Sequence, residues 1–284
     1  MIKIILILII TPIIGCFLSG LDRKLTAQFQ GRVGPTILQP LYDIVKLTQK
    51  ENIVVNAFQN IYILAYFIFI VTSTIMIFLQ TDLLMIIFVY TIANVSLIIG
   101  GMSTGSPYSR IGSQRETMSM LCYEPILLFF VISIYSLTGS YNISALNNIH
   151  SPLLEFLPLI FLSMLFIMNI KFKKSPFDFS TSHHAHQELV KGMFTEFSGT
   201  ALALIELSHF YETVFLLYLV FLFFNTNFFI GILLTIFTFV LSIIIDNITA
   251  RLSWEWMLRF TWTYIIGLSI VNILFIYVYS IKIT

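Results

Sequence analysis

The stretch from Leu83 to Gly101 reads LLMIIFVYTIANVSLIIGG and contains no Asp, Glu, Lys or Arg. A helix of about 20 mostly apolar residues crosses the hydrocarbon core of a bilayer, because each residue rises about 1.5 Å through a layer about 30 Å thick. The stretch therefore predicts a transmembrane helix, and it decides the fold class.

The composition of the whole chain agrees with this prediction. Of its 284 residues, 58% are hydrophobic and 10% are charged, whereas soluble proteins carry about 25% charged residues. The mean hydropathy is +0.93. Because the net charge is only +1, the chain lacks the basic excess of a nucleic-acid-binding protein. We expect an all-α integral membrane protein in contact with lipid, with residues 1–284 forming one polytopic domain and no nucleic acid as a partner.

Eight apolar stretches are long enough to span a bilayer. They run from Ile2 to Ser19, Phe58 to Leu79, Leu83 to Gly101, Thr117 to Thr138, Pro152 to Phe172, Thr200 to Phe224, Asn227 to Ile245 and Phe260 to Ile281. The first is predicted to stay in the protein, because only Lys3 precedes it and no well-defined cleavage site follows. We number the spans one to eight and the connecting loops one to seven.

Apart from one Lys near each terminus, the basic residues lie in the odd-numbered loops, which gives an orientation. Loops two, four and six contain none. The odd loops contain Arg23, Lys24, Arg32, Lys46 and Lys50 (loop one), Arg110 and Arg115 (three), Lys171, Lys173, Lys174 and Lys191 (five), and Arg251 and Arg259 (seven). Since basic loops stay in the cytoplasm, we expect the odd loops to be cytoplasmic and both termini to lie outside the plasma membrane.

Loop one contains apolar residues at helical spacing between residues 37 and 47, opposite Asp43, Lys46 and Lys50. This pattern predicts an amphipathic helix in the membrane interface. Two interpretations stay open: the helix is a connector lying on lipid, or it is a wall of a functional cavity.

Acidic side chains occur inside two predicted spans. A carboxylate near the bilayer centre costs at least about 2.5–3.5 kcal/mol, so each needs a function or a partner. Glu124 lies in span four, directly before Pro125. Glu206, His209 and Glu212 follow one another at three-residue spacing in span six, which predicts a proton ladder. The alternative is that these groups only fix helix packing.

Loop five is polar and rich in histidine. His183, His184 and His186 lie between Asp178 and Glu188, and Glu196 follows shortly before span six. These residues could converge on a metal ion, but we favour a proton-collecting segment or a subunit contact and predict no metal. The cysteines Cys16 and Cys122 lack metal-ligand spacing, which excludes a cysteine-ligated zinc or iron–sulfur site.

Several blocks of sequence resemble a known family. They are Asp22-Arg23-Lys24-Leu25, Gln30-Gly31-Arg32-Val33-Gly34-Pro35, Leu38-Gln39-Pro40-Leu41-Tyr42-Asp43, Arg115-Glu116, Tyr123-Glu124-Pro125, Ser175-Pro176-Phe177-Asp178 and Thr249-Ala250-Arg251-Leu252. Together they resemble the membrane subunit shared by respiratory complex I, where it is called subunit 1, and membrane-bound energy-converting hydrogenases. The resemblance covers essentially the whole chain and implies eight helices under a soluble redox arm.

At two places the sequence departs from the complex I pattern and resembles the hydrogenase branch of the family. Only three residues separate Gly34-Pro35 from Gln39-Pro40, and Asp178 is followed by the histidine-bearing segment instead of an acidic stretch. This resemblance implies a subunit without a redox centre of its own, in a complex that couples ferredoxin oxidation and hydrogen formation to ion translocation. It implies as partners a soluble nickel–iron large subunit, an iron–sulfur small subunit and an antiporter-like membrane subunit. The nickel–iron centre and the iron–sulfur clusters would be in the soluble partners.

The resemblance also implies roles for individual residues. The ion path would use Glu124, Asp178, Glu188, Glu196, Glu206, His209 and Glu212. The loop-one cavity and docking surface would use Arg23, Lys24, Arg32, Asp43, Lys46, Lys50 and Glu51. Three alternatives stay open: subunit 1 of a quinone-reducing complex I, possibly in the mitochondrial inner membrane, a stand-alone ion transporter, and a purely structural anchor. The sequence leaves open whether the ion is a proton or sodium.

Overall fold

The structure is a computed structural model and describes residues 2–149, 151–177 and 192–281. Its helices are α1 (Ile2–Phe29), α2 (Gln39–Thr48), α3 (Ala57–Phe78), α4 (Leu83–Ser103), α5 (Pro107–Thr138), α6 (Leu153–Phe156), α7 (Pro158–Lys171), α8 (Gly199–Phe221), α9 (Phe228–Ile248), α10 (Trp254–Phe260) and α11 (Ile266–Ile281). A π-helical turn, Thr261–Ile265, joins α10 to α11. Within the described residues, seven helices are long and apolar enough to cross a membrane. The all-helical membrane fold is confirmed there.

The predicted fifth span, Pro152 to Phe172, is not one continuous helix. It divides at Leu157 into α6 and α7. The 14 residues of α7 rise about 21 Å, which is less than the hydrocarbon core. Asn272 of α11 caps the break: its Oδ1 accepts from the backbone N–H of Leu159 at 2.9 Å, and its Nδ2 donates to the carbonyl of Phe156 at 2.7 Å. The count of eight crossings stays a prediction.

Several helices extend beyond the predicted spans. Helix α1 has 28 residues and α5 has 32, which correspond to about 42 and 48 Å. Asp22, Arg23 and Lys24 therefore lie on the end of α1, and not in a loop, while the basic residues predicted in loop three lie on α5. Lys171, predicted in loop five, is the last residue of α7. These predictions are wrong because polar residues continue a helix after it leaves the bilayer.

Helix α2 lies in loop one where an amphipathic helix is predicted; its location in the membrane interface stays a prediction. Leu47 packs against the main hydrophobic core, whereas Leu41 and Val45 are exposed. Helix α8 is the most deeply buried of the seven spans. Of the predicted proton-ladder residues on it, Glu212 is buried, whereas Glu206 and His209 are partly buried.

Loop one is attached to the segment before α8 by hydrogen bonds. Ser198 Oγ accepts from the backbone N–H of Ile53 at 2.9 Å and donates to the Ile53 carbonyl at 3.2 Å. Gln59 Nε2 donates to the Glu196 carbonyl at 3.1 Å. Gly199 follows with a φ of +52°, and a Cβ there would lie 2.7 Å from the carbonyl oxygen of Glu51. Only glycine fits this junction.

Replacing Gly199 by Ala is expected to destabilise the protein by about 2–4 kcal/mol, since a left-handed backbone costs about 1–2 kcal/mol with a Cβ and the contact with Glu51 adds strain. Gly105→Ala is the matched control, because Gly105 also has a positive φ (+72°) but no atom within 4 Å of its Cβ position. Thermal unfolding in detergent measures both. Equal losses in the two variants would show that the junction is not tightly packed.

Candidate functional site

Glu212 of α8 is the centre of a buried polar cluster. Its side chain is 6% exposed, and its Oε1 forms an ion pair with Lys171 Nζ at 2.7 Å. The Tyr90 hydroxyl donates to the same oxygen at 2.7 Å. Lys171 Nζ also donates to Asn94 Oδ1 at 2.9 Å and lies 4.4 Å from the ring centre of Tyr123. The cluster joins α4, α5, α7 and α8.

The second carboxylate oxygen of Glu212 contacts a histidine. His209 Nδ1 lies 3.2 Å from Oε2, one turn earlier on α8. The Tyr66 hydroxyl approaches the same oxygen at 3.5 Å. Because an imidazole has two ring nitrogens that can bind or release a proton, His209 can carry a proton to or from the carboxylate.

Removing two charges from water costs several kcal/mol for each ion. The direct ion pair and the hydrogen bonds from Tyr90 and to Asn94 offset this cost, because a low local dielectric strengthens satisfied polar contacts. The same property makes Glu212 sensitive to any nearby movement of charge. Such an arrangement can store and release a proton.

An inner cavity of about 290 Å³ reaches this cluster. Among its lining residues are Lys171, Glu206, His209 and Glu212. An outer cavity of about 520 Å³ lies between the ends of α1 and α9 and is lined by Arg23, Arg32, Lys173, Lys174 and Arg251, among others. Both cavities are lined by Asp22, Arg23, Phe172, Lys173 and Lys174. They therefore adjoin, and together they lead from the predicted cytoplasmic face to Glu212.

A family model described as NADH dehydrogenase matches residues 2–277. The chain belongs to the NADH dehydrogenase subunit 1 family. The resemblance found in the sequence blocks is thereby confirmed.

Similar proteins come from both branches of this family. Formate hydrogenlyase subunit 4 of Escherichia coli (strain K12) is 31% identical in an alignment 205 positions long that covers 66% of this chain and 66% of that relative. NADH-ubiquinone oxidoreductase chain 1 of Apis mellifera ligustica is 26% identical over 303 aligned residues, covering 98% of this chain and 96% of that relative. The first alignment thus spans about two thirds of each protein, and the second spans nearly all of both.

A solved structure has the same fold. A chain of the membrane-bound sulfane sulfur reductase, an archaeal respiratory membrane complex, superposes with a TM-score of 0.87. The match covers 97% of this chain and 98% of that chain at 20% sequence identity. At this identity the similarity shows the fold of the subunit 1 family.

Several residues that line the outer cavity form ion pairs or hydrogen bonds. Lys174 Nζ lies 2.7 Å from Asp22 Oδ1, and the backbone N–H of Ser175 donates to Asp246 Oδ1 at 2.8 Å. Arg23 pairs with Asp43 of α2 at 2.6 Å, with both side chains well exposed. Partial burial raises the pKa of Asp43, but the hydrogen bond and charge of Arg23 outweigh it, so the pKa lies below its usual value.

Lys173 lies between the two cavities. Its Nζ is shielded from solvent and has no hydrogen-bond partner within the described part of the chain, and it lies 4.4 Å from the ring centre of Phe194. Burial lowers the pKa of this amine below its usual value, although the neighbouring carboxylates Glu116 and Glu212 oppose the shift. A buried amine without an acceptor is costly, which indicates that this position serves a purpose other than stability.

The predicted ion-path residues lie at different depths. His209 and Glu212 are in contact, and Glu206 lines the same inner cavity. Glu124 lies on α5, which continues through Pro125, and its Oε1 is buried without a hydrogen-bond partner from residues 2–149, 151–177 or 192–281. Glu196 lies in the turn before α8, where its carbonyl accepts from α3. The predictions for Asp178, His183, His184, His186 and Glu188 lie outside the described residues.

The predicted loop-one residues divide into two groups. Arg23 and Arg32 line the outer cavity, and Asp43 pairs with Arg23. Lys24, Lys46, Lys50 and Glu51 are exposed on the same face, and none of these four lines the two cavities. Among the residues that the structure describes, no group of three His, Cys, Asp or Glu side chains could hold a metal ion.

Sequence reasoning misses most partners of Glu212. Lys171 ends an apolar run and is therefore predicted in a loop, and tyrosines are ordinary residues of a membrane span. One signal is present in the stretch that decides the fold: Tyr90 and Asn94 lie four residues apart, which places two polar side chains on one helix face. That face points to Lys171 and Glu212.

Proposed function

We propose that this chain is the membrane-anchoring and ion-coupling subunit of an energy-converting nickel–iron hydrogenase. In such a complex the soluble subunits oxidise ferredoxin and form hydrogen, and the membrane subunits move a proton or a sodium ion. The observation that carries the proposal is the Lys171–Glu212–His209 cluster at the inner end of two adjoining cavities.

The cluster can convert a charge change outside the membrane into proton movement inside it. Charges interact over longer distances in a medium of low dielectric than in water. An electron arriving in a docked subunit would alter the field at the mouth of the outer cavity, where loops one and five meet. If Lys171 responds by moving away from Glu212, the carboxylate takes up a proton. His209 and Glu206 lie beside it to receive or supply that proton.

The redox centres belong to partners in this proposal. A nickel–iron large subunit and an iron–sulfur small subunit would dock on the cytoplasmic loops, with the odd loops inside the plasma membrane. An antiporter-like membrane subunit would continue the ion path. The short loop one and the histidine-bearing loop five support the hydrogenase branch, as does the similarity to formate hydrogenlyase subunit 4.

A second candidate is subunit 1 of a quinone-reducing complex I, which the similarity to NADH-ubiquinone oxidoreductase chain 1 favours. The two candidates differ in the partners that bind the same face. They also differ in what occupies the two cavities: in the complex I candidate a quinone would enter them from the membrane, whereas the hydrogenase candidate needs no quinone.

Purification of the tagged chain from its own membranes in mild detergent separates the two candidates. We expect a nickel-containing large subunit to co-purify and the preparation to form hydrogen from reduced ferredoxin. Nickel is measured by mass spectrometry, and the partners are identified by peptide sequencing. A preparation that instead oxidises NADH and reduces a quinone, with inhibition by quinone-site ligands, would contradict the hydrogenase proposal.

A further inference from the structure

The outer cavity has an excess of positive charge that the proton path does not use. Five cationic and two acidic side chains line it. Both acids already have partners, since Asp22 is paired with Lys174 and Asp246 accepts from the Ser175 backbone. The cationic residues are Arg23, Arg32, Lys173, Lys174 and Arg251. Arg23 is paired with Asp43, which does not line the cavity, and Lys174 is paired with Asp22. The lining still has a net positive charge, which favours an anion.

Lys173 provides a second, independent observation. Its Nζ is removed from solvent, yet none of the residues that the structure describes places an acceptor within hydrogen-bond distance of it. A buried ammonium group normally pairs with an acid or a hydrogen-bond acceptor. Since Lys173 lines both cavities, an anion at the inner end of the outer cavity would supply that acceptor.

The depth of the cavity matches that of a lipid headgroup. Helix α1 has 28 residues and is longer than the hydrocarbon core by about eight residues, so its C-terminal end, which lines the cavity from Asp22 onward, lies at or above the headgroup layer. On the other side the cavity is lined by Asp246, near the end of α9. Phosphate groups of the bilayer lie at this level.

The surfaces below the cavity suit acyl chains. Of the seven spans, α1 and α9 are the least buried. Ile13 and Phe17 of α1 and Ile236 and Phe237 of α9 are about half exposed, and they lie on the membrane side of the cavity-lining ends. Basic pockets between transmembrane helices on the cytoplasmic side bind anionic headgroups.

We propose that the outer cavity binds the phosphate group of an anionic phospholipid, with Arg32 and Lys173 as its main contacts and the acyl chains along α1 and α9. The site adjoins the Glu212 cluster, since Lys173 lines both cavities.

The test uses the full chain with its co-purifying subunits, reconstituted into nanodiscs of equal parts phosphatidylcholine and phosphatidylglycerol. A phosphatidylglycerol with a diazirine on its headgroup is added, and labelled peptides are mapped after illumination. We expect labelling of the 22–35 and 172–177 segments. Arg32→Gln with Lys173→Gln should lower this labelling about tenfold, because two cations near the headgroup are lost.

Two variants keep the test decisive. Arg110→Gln removes a cation from the same face outside the cavity, and it should change the labelling less than about twofold. Lys173→Arg keeps the charge and should retain the labelling even if Lys173→Gln does not fold. Equal labelling in wild type and the double variant, or an equal loss in Arg110→Gln, would overturn the proposal. Displacement of the probe by millimolar inorganic phosphate would overturn the lipid source, because the cavity would then take phosphate from solution.

Discussion

Hydrogen formation without ion movement is the expected result of replacing Glu212 by Gln. The amide keeps the shape and its oxygen can still accept from Tyr90 and Lys171, so the subunits should assemble and transfer electrons, although the buried Lys171 ammonium loses its counter-charge and the stability of the chain falls. The amide cannot change its charge. Among the described residues, Glu212 is the only deeply buried proton acceptor bonded to both Lys171 and His209. We therefore expect coupled ion movement to fall at least about tenfold in Glu212→Gln.

Inverted membrane vesicles measure this effect. The pH gradient formed per hydrogen molecule is followed with a pH-sensitive dye while reduced ferredoxin supplies electrons. Asp82→Asn is the matched control, because Asp82 caps the start of α4 through the backbone N–H groups of Leu84 and Met85 and Asn is an equally good cap. An unchanged ratio in Glu212→Gln would remove this carboxylate from the ion path.

Replacing Lys171 by Met is expected to cause the largest loss of stability. The substitution leaves the Glu212 carboxylate buried without its counter-charge, which costs about 3–5 kcal/mol. The double variant Lys171→Met with Glu212→Gln removes both charges and should regain most of that loss, since a neutral pair of similar volume is tolerated in place of a buried ion pair.

Thermal unfolding of the detergent-solubilised protein, with wild type, both single variants and the double variant, completes a mutant cycle. Lys24→Met is the control, because Lys24 is exposed on α1, and it should change stability by less than about 0.5 kcal/mol. If the effects of the two single substitutions simply add in the double variant, Lys171 and Glu212 do not interact in the folded protein.

The membrane fold could be predicted from the sequence because hydrophobic length is a local property. The stretch from Leu83 to Gly101 forms α4 almost residue for residue. The amphipathic helix α2 was also predictable, since its apolar residues repeat at helical spacing. The break at Leu157 was not, because the cap that compensates for it comes from Asn272, far along the chain.

The candidate site could be predicted only in part. The three-residue spacing of His209 and Glu212 on one helix indicates their contact directly. The pairing of Glu212 with Lys171, and of Lys171 with Asn94, depends on how three helices rotate against one another, which no local pattern determines. Where a helix leaves the bilayer is equally nonlocal, and for this reason the sequence places Lys171 and Asp22 in loops.

Redox-induced infrared difference spectroscopy of the intact complex tests most directly whether Glu212 responds to electron transfer in the partner subunits. We predict that reduction of the soluble clusters changes a carboxyl band, that this change is absent in Glu212→Gln, and that it persists in Asp82→Asn. Identical difference spectra for wild type and Glu212→Gln would contradict the proposed coupling.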